Sequence, residues 1–264
     1  ICGFIFMGGV DRLASVTEKL VPVMAAFFLI GGLGVLAMRL QYIPETFGLI
    51  FKYAFQPQAI IGGGFGIAIK TAVSQGAKRG LFSNEAGKGS TPHAHALALV
   101  KNPHEQGCVA MVGVFIDTFI VLTLNALVII STLYAGNGPL ANGYVGEAAN
   151  TLKNTNLAQV AFGVVYGDKA GAVFVAICLF FFAFSTILGW NLFAKINVTY
   201  LFGKKAQRPF MLVALVFIFL GTIGESDLVW ACSDMFNQLM VIPNAIALFA
   251  LTGVVTKILG DRDK

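Results

Sequence analysis

Residues 80–95 hold the side chains best suited to chemistry in an otherwise apolar sequence. The stretch reads GLFSNEAGKGSTPHAH and combines glycines, a proline, hydroxyls, an Asn–Glu pair, a lysine and two histidines. It cannot form a continuous lipid-facing helix, because unpaired backbone groups in hydrocarbon are strongly destabilising. A break between apolar helices offers amide donors to a carboxylate and freed carbonyl oxygens to Na⁺. The composition predicts either such a break or a cytoplasmic loop, in which glycine and proline are ordinary turn residues.

Two adjacent hydroxyls, Ser185 and Thr186, lie in the apolar sequence FSTILGWN. Hydroxyls inside a helix commonly bond back to a carbonyl of the preceding turn. The same oxygens suit a Na⁺ ion if they face a broken helix. The residues themselves leave both interpretations open.

The last apolar segment carries a stripe of larger and polar side chains. Its members are Trp230, Asp234, Asn237, Val241 and Asn244. Their spacing places them on one helix face, which either lines a pathway or packs against other helices. The three histidines, His93, His95 and His104, have no carboxylate or cysteine spaced to complete a metal site, so no metal centre is expected.

Helices in a membrane must position these residues. Hydrophobic residues make up 57% of the 264 residues and charged residues 12%, with a mean hydropathy of +0.79. A soluble domain would carry about 25% charged residues. The composition therefore predicts an all-α, polytopic transmembrane helical bundle. No nucleic acid partner is expected, and no nucleophile–base or metal-ligand spacing indicates an enzyme.

Five apolar stretches are candidate membrane spans. They are 21–38, 108–134, 170–201, the shorter 210–223, and 228–255. Between them, 42–55 predicts an interfacial amphipathic helix. A glycine-rich stretch, 59–80, runs into the polar segment, and the polar connection 137–168 predicts a short helix of its own.

The basic residues predict an orientation. Residues 59–106 are treated as one further crossing that ends inside, and Lys70 within it is left unassigned. Threading this crossing and the five stretches alternately across a bilayer then places thirteen basic residues on one side and four on the other. The four are Arg39, Lys52, Lys153 and Lys169. Because cytoplasmic loops are rich in Lys and Arg, the richer side and the C-terminus are predicted to be cytoplasmic.

The sequence opens inside an apolar run, ICGFIFMGG. We therefore expect residues 1–264 to form a single membrane-embedded domain that lacks its N-terminal part.

Several stretches resemble the alanine or glycine:cation symporter family, the sodium:alanine symporters and amino acid carrier proteins. GLFSNEAGKGSTPHAHA closely resembles the family signature, and FSTILGWN is a second specific match. DRLASVTEKLVPVMA, GCVAMVGVFIDTFIV and DLVWACSDMFNQLMVIPN are similar to further family stretches. The resemblance covers essentially the whole chain. Lys88 is a departure, since the family usually has an apolar residue there.

The resemblance implies the C-terminal part of a LeuT-type inverted-repeat transporter with a discontinuous helix, its first repeat largely missing. It implies a multi-pass protein of the cell membrane that couples sodium to symport of a small neutral amino acid, alanine or glycine. Sodium would be the coupling ion, without another cofactor, and the partners would be the amino acid, the lipid bilayer and the missing N-terminal half. A channel-like or structural membrane subunit without ion coupling is the alternative.

The resemblance also implies site residues. The substrate-binding candidates are Phe82, Ser83, Asn84, Gly87, Gly89 and Trp190, and the ion-binding candidates are Ser185 and Thr186. Phe82 and Trp190 would close over the small side chain, and Asn84 would make a polar contact with the substrate.

Overall fold

The regular structure of the described residues is helical throughout. The computed structural model describes residues 2–7, 9–55, 65–85, 87–141, 152 and 156–260. The helices are α1 (Cys2–Met7), α2 (Gly9–Met38), α3 (Ile43–Phe55), α4 (Phe65–Ser83), α5 (Pro92–His95), α6 (Pro103–Phe115), α7 (Thr123–Ile129), α8 (Leu157–Tyr166), α9 (Asp168–Phe202), α10 (Gln207–Ile223) and α11 (Ser226–Gly260).

Short tighter or wider helical turns join several of these helices. The 3₁₀ turns Leu40–Tyr42 and Lys204–Ala206 connect α2 to α3 and α9 to α10. The π-helical turns Ile116–Leu122 and Ile130–Tyr134 follow α6 and α7, so the chain is helical from Pro103 to Tyr134.

Five helical stretches are long and apolar enough to cross a membrane. They are Ser15–Met38, Pro103–Tyr134, Asp168–Phe202, Lys204–Ile223 and Ser226–Ile258. Each contains one of the five stretches predicted from the sequence, so the prediction of a helical, membrane-spanning protein is confirmed. The inverted repeat stays a prediction.

The shorter elements agree with the sequence in part. Helix α3 covers most of 42–55, although its interfacial position stays a prediction. Helix α8 is the short helix expected within 137–168. Helix α4 is not among the five candidate spans, and residues 59–64 of the predicted glycine-rich stretch lie outside the described residues.

The chain divides into two compact units. Unit 1 comprises Ile1–Ala14, Val73–Ile116 and Ile187–Lys264, and unit 2 comprises Ser15–Ala72 and Asp117–Thr186. Helix α11 and the polar segment 80–95 belong to unit 1. The expectation of a single membrane-embedded domain stays a prediction.

Unit 2 holds the larger apolar core. Val35 of α2, Val128 of α7 and Phe162 of α8 are among its most buried side chains. The Phe162 ring stacks on Phe174 of α9 with ring centroids 4.9 Å apart, an arrangement that adds to the burial of both rings. This packing fixes the first half of α9.

Charged side chains cap the end of the Pro103–Tyr134 helix in unit 2. The Arg39 guanidinium donates from Nε (3.1 Å) and Nη2 (2.6 Å) to the carbonyl of Ser131. The Gly136 N–H donates to the Glu45 carboxylate at 3.0 Å. A π-helical bond joins residues five apart, so Ser131 and Gly136 would pair if the turn continued. Because the chain leaves the helix at Ala135, each group takes a charged partner from the α2–α3 corner instead.

Replacing Arg39 tests this cap. We expect Arg39→Ala to lower the thermal midpoint of the full-length protein in detergent, because the buried Ser131 carbonyl loses a charged donor. Hydrogen bonds to charged groups are worth about 1.5–3 kcal/mol. Arg208→Ala is the control, since Arg208 is exposed at the start of α10. Equal midpoints for the two variants would contradict the capping role.

Candidate functional site

The polar segment contains a non-helical turn. Helix α4 ends at Ser83 and α5 begins at Pro92, so the described residues between them, 84–85 and 87–91, are not regular α-helix. Glu85 has φ +57° and Gly89 has φ +71°, both in the left-handed region. Turn bonds run from Glu85 N–H to the Phe82 carbonyl and from Gly89 N–H to the Glu85 carbonyl, at 3.2 and 3.0 Å. The depth of this turn in a membrane stays a prediction.

The hydroxyls of the segment hold the turn together. Ser90 Oγ donates to the Glu85 carboxylate at 2.7 Å, and Thr91 Oγ1 donates to the Asn84 carbonyl at 3.2 Å. Ser90 is fully buried. A non-glycine residue in the left-handed region is uncommon and is retained when its surroundings fix it, as Ser90 does for Glu85.

The polar stripe of α11 contacts this segment. Asn244 Nδ2 donates to the Gly87 carbonyl at 3.0 Å. Asn237 Oδ1 accepts from Lys88 Nζ at 3.3 Å, and Asp234 pairs with Lys78 Nζ at 2.5 Å. Three of the five stripe residues therefore supply partners to α4 and the turn.

The other two stripe residues differ. Val241 lines a small cleft beside Phe82 and Lys88. Trp230 is about half exposed.

Lys88 lies at the centre of unit 1's polar contacts. Only 4% of its surface is exposed. Its ammonium lies 3.9 Å from the centre of the Phe82 ring and 4.6 Å from that of Trp190. Burial lowers the pKa of this lysine, and the negative charge of Glu85 opposes that effect. Lys88 is outside the five candidate spans.

The predicted substrate residues fall into two groups around the turn. Phe82 and Trp190 are brought together by the Lys88 ammonium, which contacts both rings. Gly87 and Gly89 lie against Asn244.

Two predicted substrate residues come from the start of the turn. Ser83 is the last residue of α4, and Asn84 is the first residue of the turn. Their role in binding stays a prediction.

The predicted ion ligands lie in unit 2. Ser185 Oγ is 3.0 Å from the Phe182 carbonyl and 3.5 Å from Met24 Sδ, so it makes the bond back to its own helix that a hydroxyl commonly makes. Thr186 is exposed. A hydroxyl that donates one hydrogen bond keeps two lone pairs, so a cation role for Ser185 stays a prediction.

The histidines of unit 1 take part in local hydrogen bonds. His93 Nδ1 is 2.9 Å from the Ser90 carbonyl, and its Nε2 is 3.2 Å from Asn197 Oδ1. His95 Nδ1 is 2.7 Å from Gln106 Nε2. Within the described ranges, no group of three or more His, Cys, Asp or Glu side chains could hold a metal ion.

Sequence reasoning missed the central place of Lys88. It recorded this residue as a departure from the family pattern, whereas the structure places it between two predicted substrate residues. It did identify the α11 stripe, but not its partners. The signal available was the position of a lysine between two glycines in an apolar chain.

Comparison with known proteins decides the family. A profile of the sodium:alanine symporter family matches residues 1–264. The chain belongs to this family. The resemblance found in the sequence is therefore confirmed.

Curated proteins from several organisms are similar to this chain. The sodium/alanine symporter AgcS of Methanococcus maripaludis is 38% identical over 95% of this chain and 52% of its own length. The sodium/proton-dependent alanine carrier protein of Bacillus sp. PS3 is 36% identical over 95% of this chain and 57% of its own. The probable sodium/glutamine symporter GlnT of Bacillus subtilis is 33% identical over 99% and 51%. The chain spans about half the length of the curated relatives it matches.

A glycine substitution in the turn tests its geometry. We expect Gly89→Ala to lower the thermal midpoint of the full-length protein, because a left-handed conformation costs a non-glycine residue about 1–2 kcal/mol. The added methyl group would also meet the Asn244 side-chain oxygen.

The matched control is Gly80→Ala. Gly80 lies in α4, and an added Cβ there meets nothing within 4 Å. We expect that variant to be as stable as the parent protein or slightly more so, since alanine favours helix by up to about 1 kcal/mol. If Gly89→Ala melts at the same temperature as Gly80→Ala, the turn does not have the geometry described.

Proposed function

We propose that the full-length protein is a sodium-coupled symporter of a small neutral amino acid, alanine or glycine. The family match over the whole chain carries this proposal. The names of two relatives, which specify alanine, support the choice of substrate. The length of the relatives supports a further half of the protein that would complete a LeuT-type inverted repeat.

In this proposal the 84–91 turn is the break of a discontinuous helix. Glu85 supports this interpretation, because non-glycine residues in the left-handed region cluster at ligand clamps and switch segments. Two residues of the turn also form hydrogen bonds with side chains of α11, so these groups do not depend on solvent for partners. Amide groups near such a break would bind the substrate carboxylate.

The substrate residues of the proposal surround this turn. Phe82, Ser83, Asn84, Gly87, Gly89 and Trp190 bind the amino acid. In this proposal the two aromatic side chains close over the amino acid and set the limit on its size. Asn84 makes a polar contact with the substrate.

Sodium is the proposed coupling ion, with oxygen ligands that include Ser185 and Thr186. Binding of Na⁺ favours the arrangement that also binds the amino acid. Such coupling is reciprocal, so each ligand raises the affinity for the other.

The proposal also gives an orientation. The protein is a multi-pass protein of the cell membrane with its C-terminus in the cytoplasm. The excess of Lys and Arg on one side of the threaded spans supports this assignment.

Uptake of radiolabelled alanine into proteoliposomes tests the function. We expect full-length protein to take up alanine with an inward Na⁺ gradient and to lose uptake when choline replaces Na⁺. Asn84→Ala should raise the KM for alanine about tenfold, since a polar substrate contact is worth roughly 1.5 kcal/mol.

Asn137→Ala is the control, because Asn137 is exposed in the turn after Tyr134. Uptake that ignores Na⁺ contradicts the proposed coupling. Sodium-dependent uptake with a normal KM in Asn84→Ala contradicts the role of Asn84 while keeping the function.

Cysteine labelling in intact cells tests the orientation. In a full-length background without native cysteines, we expect Asn137→Cys to react with a membrane-impermeant thiol reagent. Lys257→Cys, near the C-terminus, should react only after the membrane is opened. The reverse pattern would mean that the protein has the opposite orientation.

A further inference from the structure

The Lys88 ammonium is a buried charge without a carboxylate partner. Its surface is 4% exposed, and none of the described carboxylates pairs with it within 4 Å. The negative charge of Glu85 acts on the ammonium, but a carboxylate oxygen of Glu85 accepts a hydrogen bond from Ser90. Buried charges are usually paired, because removing an ion from water is costly.

The groups around Lys88 hold its ammonium without neutralising it. The Phe82 and Trp190 rings attract the ammonium through their negative faces, and Asn237 Oδ1 accepts from it at 3.3 Å. None of these three groups carries a charge. The charge of the ammonium is therefore opposed only by the Glu85 carboxylate, which acts on it without forming an ion pair.

The neighbouring cleft has an excess of positive charge. Two lysines, Lys78 and Lys88, line it together with one acidic residue, Asp234. The Asp234 carboxylate is already paired with Lys78, and Arg79 Nη1 lies 3.6 Å from it. Of the described residues that line the cleft, Lys88 is thus the cation that makes no ion pair, and the group that would complete it is a single carboxylate.

We propose that Lys88 determines substrate specificity by binding a carboxylate group of the transported molecule in this cleft. The inference rests on the proposed function, since it assigns a role to Lys88 in the same site. A lysine provides up to three donors on a flexible stem, so its ammonium can turn from the rings towards a ligand. The carboxylate is either the α-carboxylate of the proposed neutral substrate or the side-chain carboxylate of an acidic amino acid, which would then replace alanine as the substrate.

Ligand binding to the purified full-length protein tests this without a gradient. The probes are alanine, propionate, ethylamine and aspartate, and the readout is the dissociation constant from isothermal titration. Propionate is alanine without its amine, and ethylamine is alanine without its carboxylate. The variants are Lys88→Met, Lys88→Arg and, as the control, Lys101→Met, since Lys101 is exposed in unit 1.

We expect propionate to bind the parent protein and ethylamine not to bind it. Lys88→Met should weaken carboxylate binding about thirtyfold or more, the loss that follows when one partner of a buried, hydrogen-bonded charge pair is removed. Lys88→Arg should restore part of the affinity, and Lys101→Met should leave it unchanged. Thermal midpoints of all variants show whether each one is folded. If Lys88→Met is not folded, the Lys88→Arg variant replaces it, because arginine keeps the positive charge.

The two sources of the carboxylate give different patterns. If Lys88 binds the α-carboxylate, alanine and aspartate weaken alike in Lys88→Met. If it binds a side-chain carboxylate, aspartate weakens and alanine does not. Both patterns support the proposal.

Other outcomes overturn it. Unchanged affinity for all carboxylates in Lys88→Met means that Lys88 does not contact the ligand. Tighter binding of alanine or ethylamine in that variant means that Lys88 instead occupies the place of a ligand ammonium. Failure of the proposed function would give a different result from failure of this inference. In that case alanine uptake would be independent of Na⁺, while carboxylate binding would still depend on Lys88.

Discussion

A chain segment that leaves the helix among apolar neighbours must find partners for its backbone groups and charges inside the protein. This constraint governs unit 1. The turn after α4 takes a donor for the Gly87 carbonyl from Asn244 and an acceptor for the Lys88 ammonium from Asn237. Both partners come from one face of α11. The last helix is therefore as much a part of the candidate site as the turn itself, although the two are about 150 residues apart in the sequence.

The sequence predicted the helices well because hydrocarbon imposes one simple requirement. A span must be apolar over its whole length, and that property is visible in any window of the chain. All five predicted stretches lie inside helices of the structure. The stripe on α11 was visible for a similar reason, since helical periodicity places Asp234 and Asn237 on one face without knowledge of any other element.

The partners of the polar residues could not be predicted in the same way. Periodicity shows which face of α11 is polar, but it does not show that this face meets Lys78 and Lys88. Lys88 was least predictable, because an apolar setting for a lysine depends on where Phe82 and Trp190 lie in three dimensions. Ser185 shows the reverse case: its bond to the Phe182 carbonyl is local and follows from ordinary helix geometry.

The π-helical turn at Ile130–Tyr134 limits changes in chain length near the end of its span. A π turn holds one residue more than the α turn that would replace it, so loss of one residue could be absorbed by a tighter helix. Such a deletion would leave the Ser131 carbonyl and the Gly136 N–H four residues apart, the spacing of an ordinary α-helical hydrogen bond. These two groups could then pair with each other and would no longer need Arg39 and Glu45 as partners. Relatives that lack a residue in this turn should therefore also differ at positions 39 and 45, a covariation that arises from the spacing of helical hydrogen bonds.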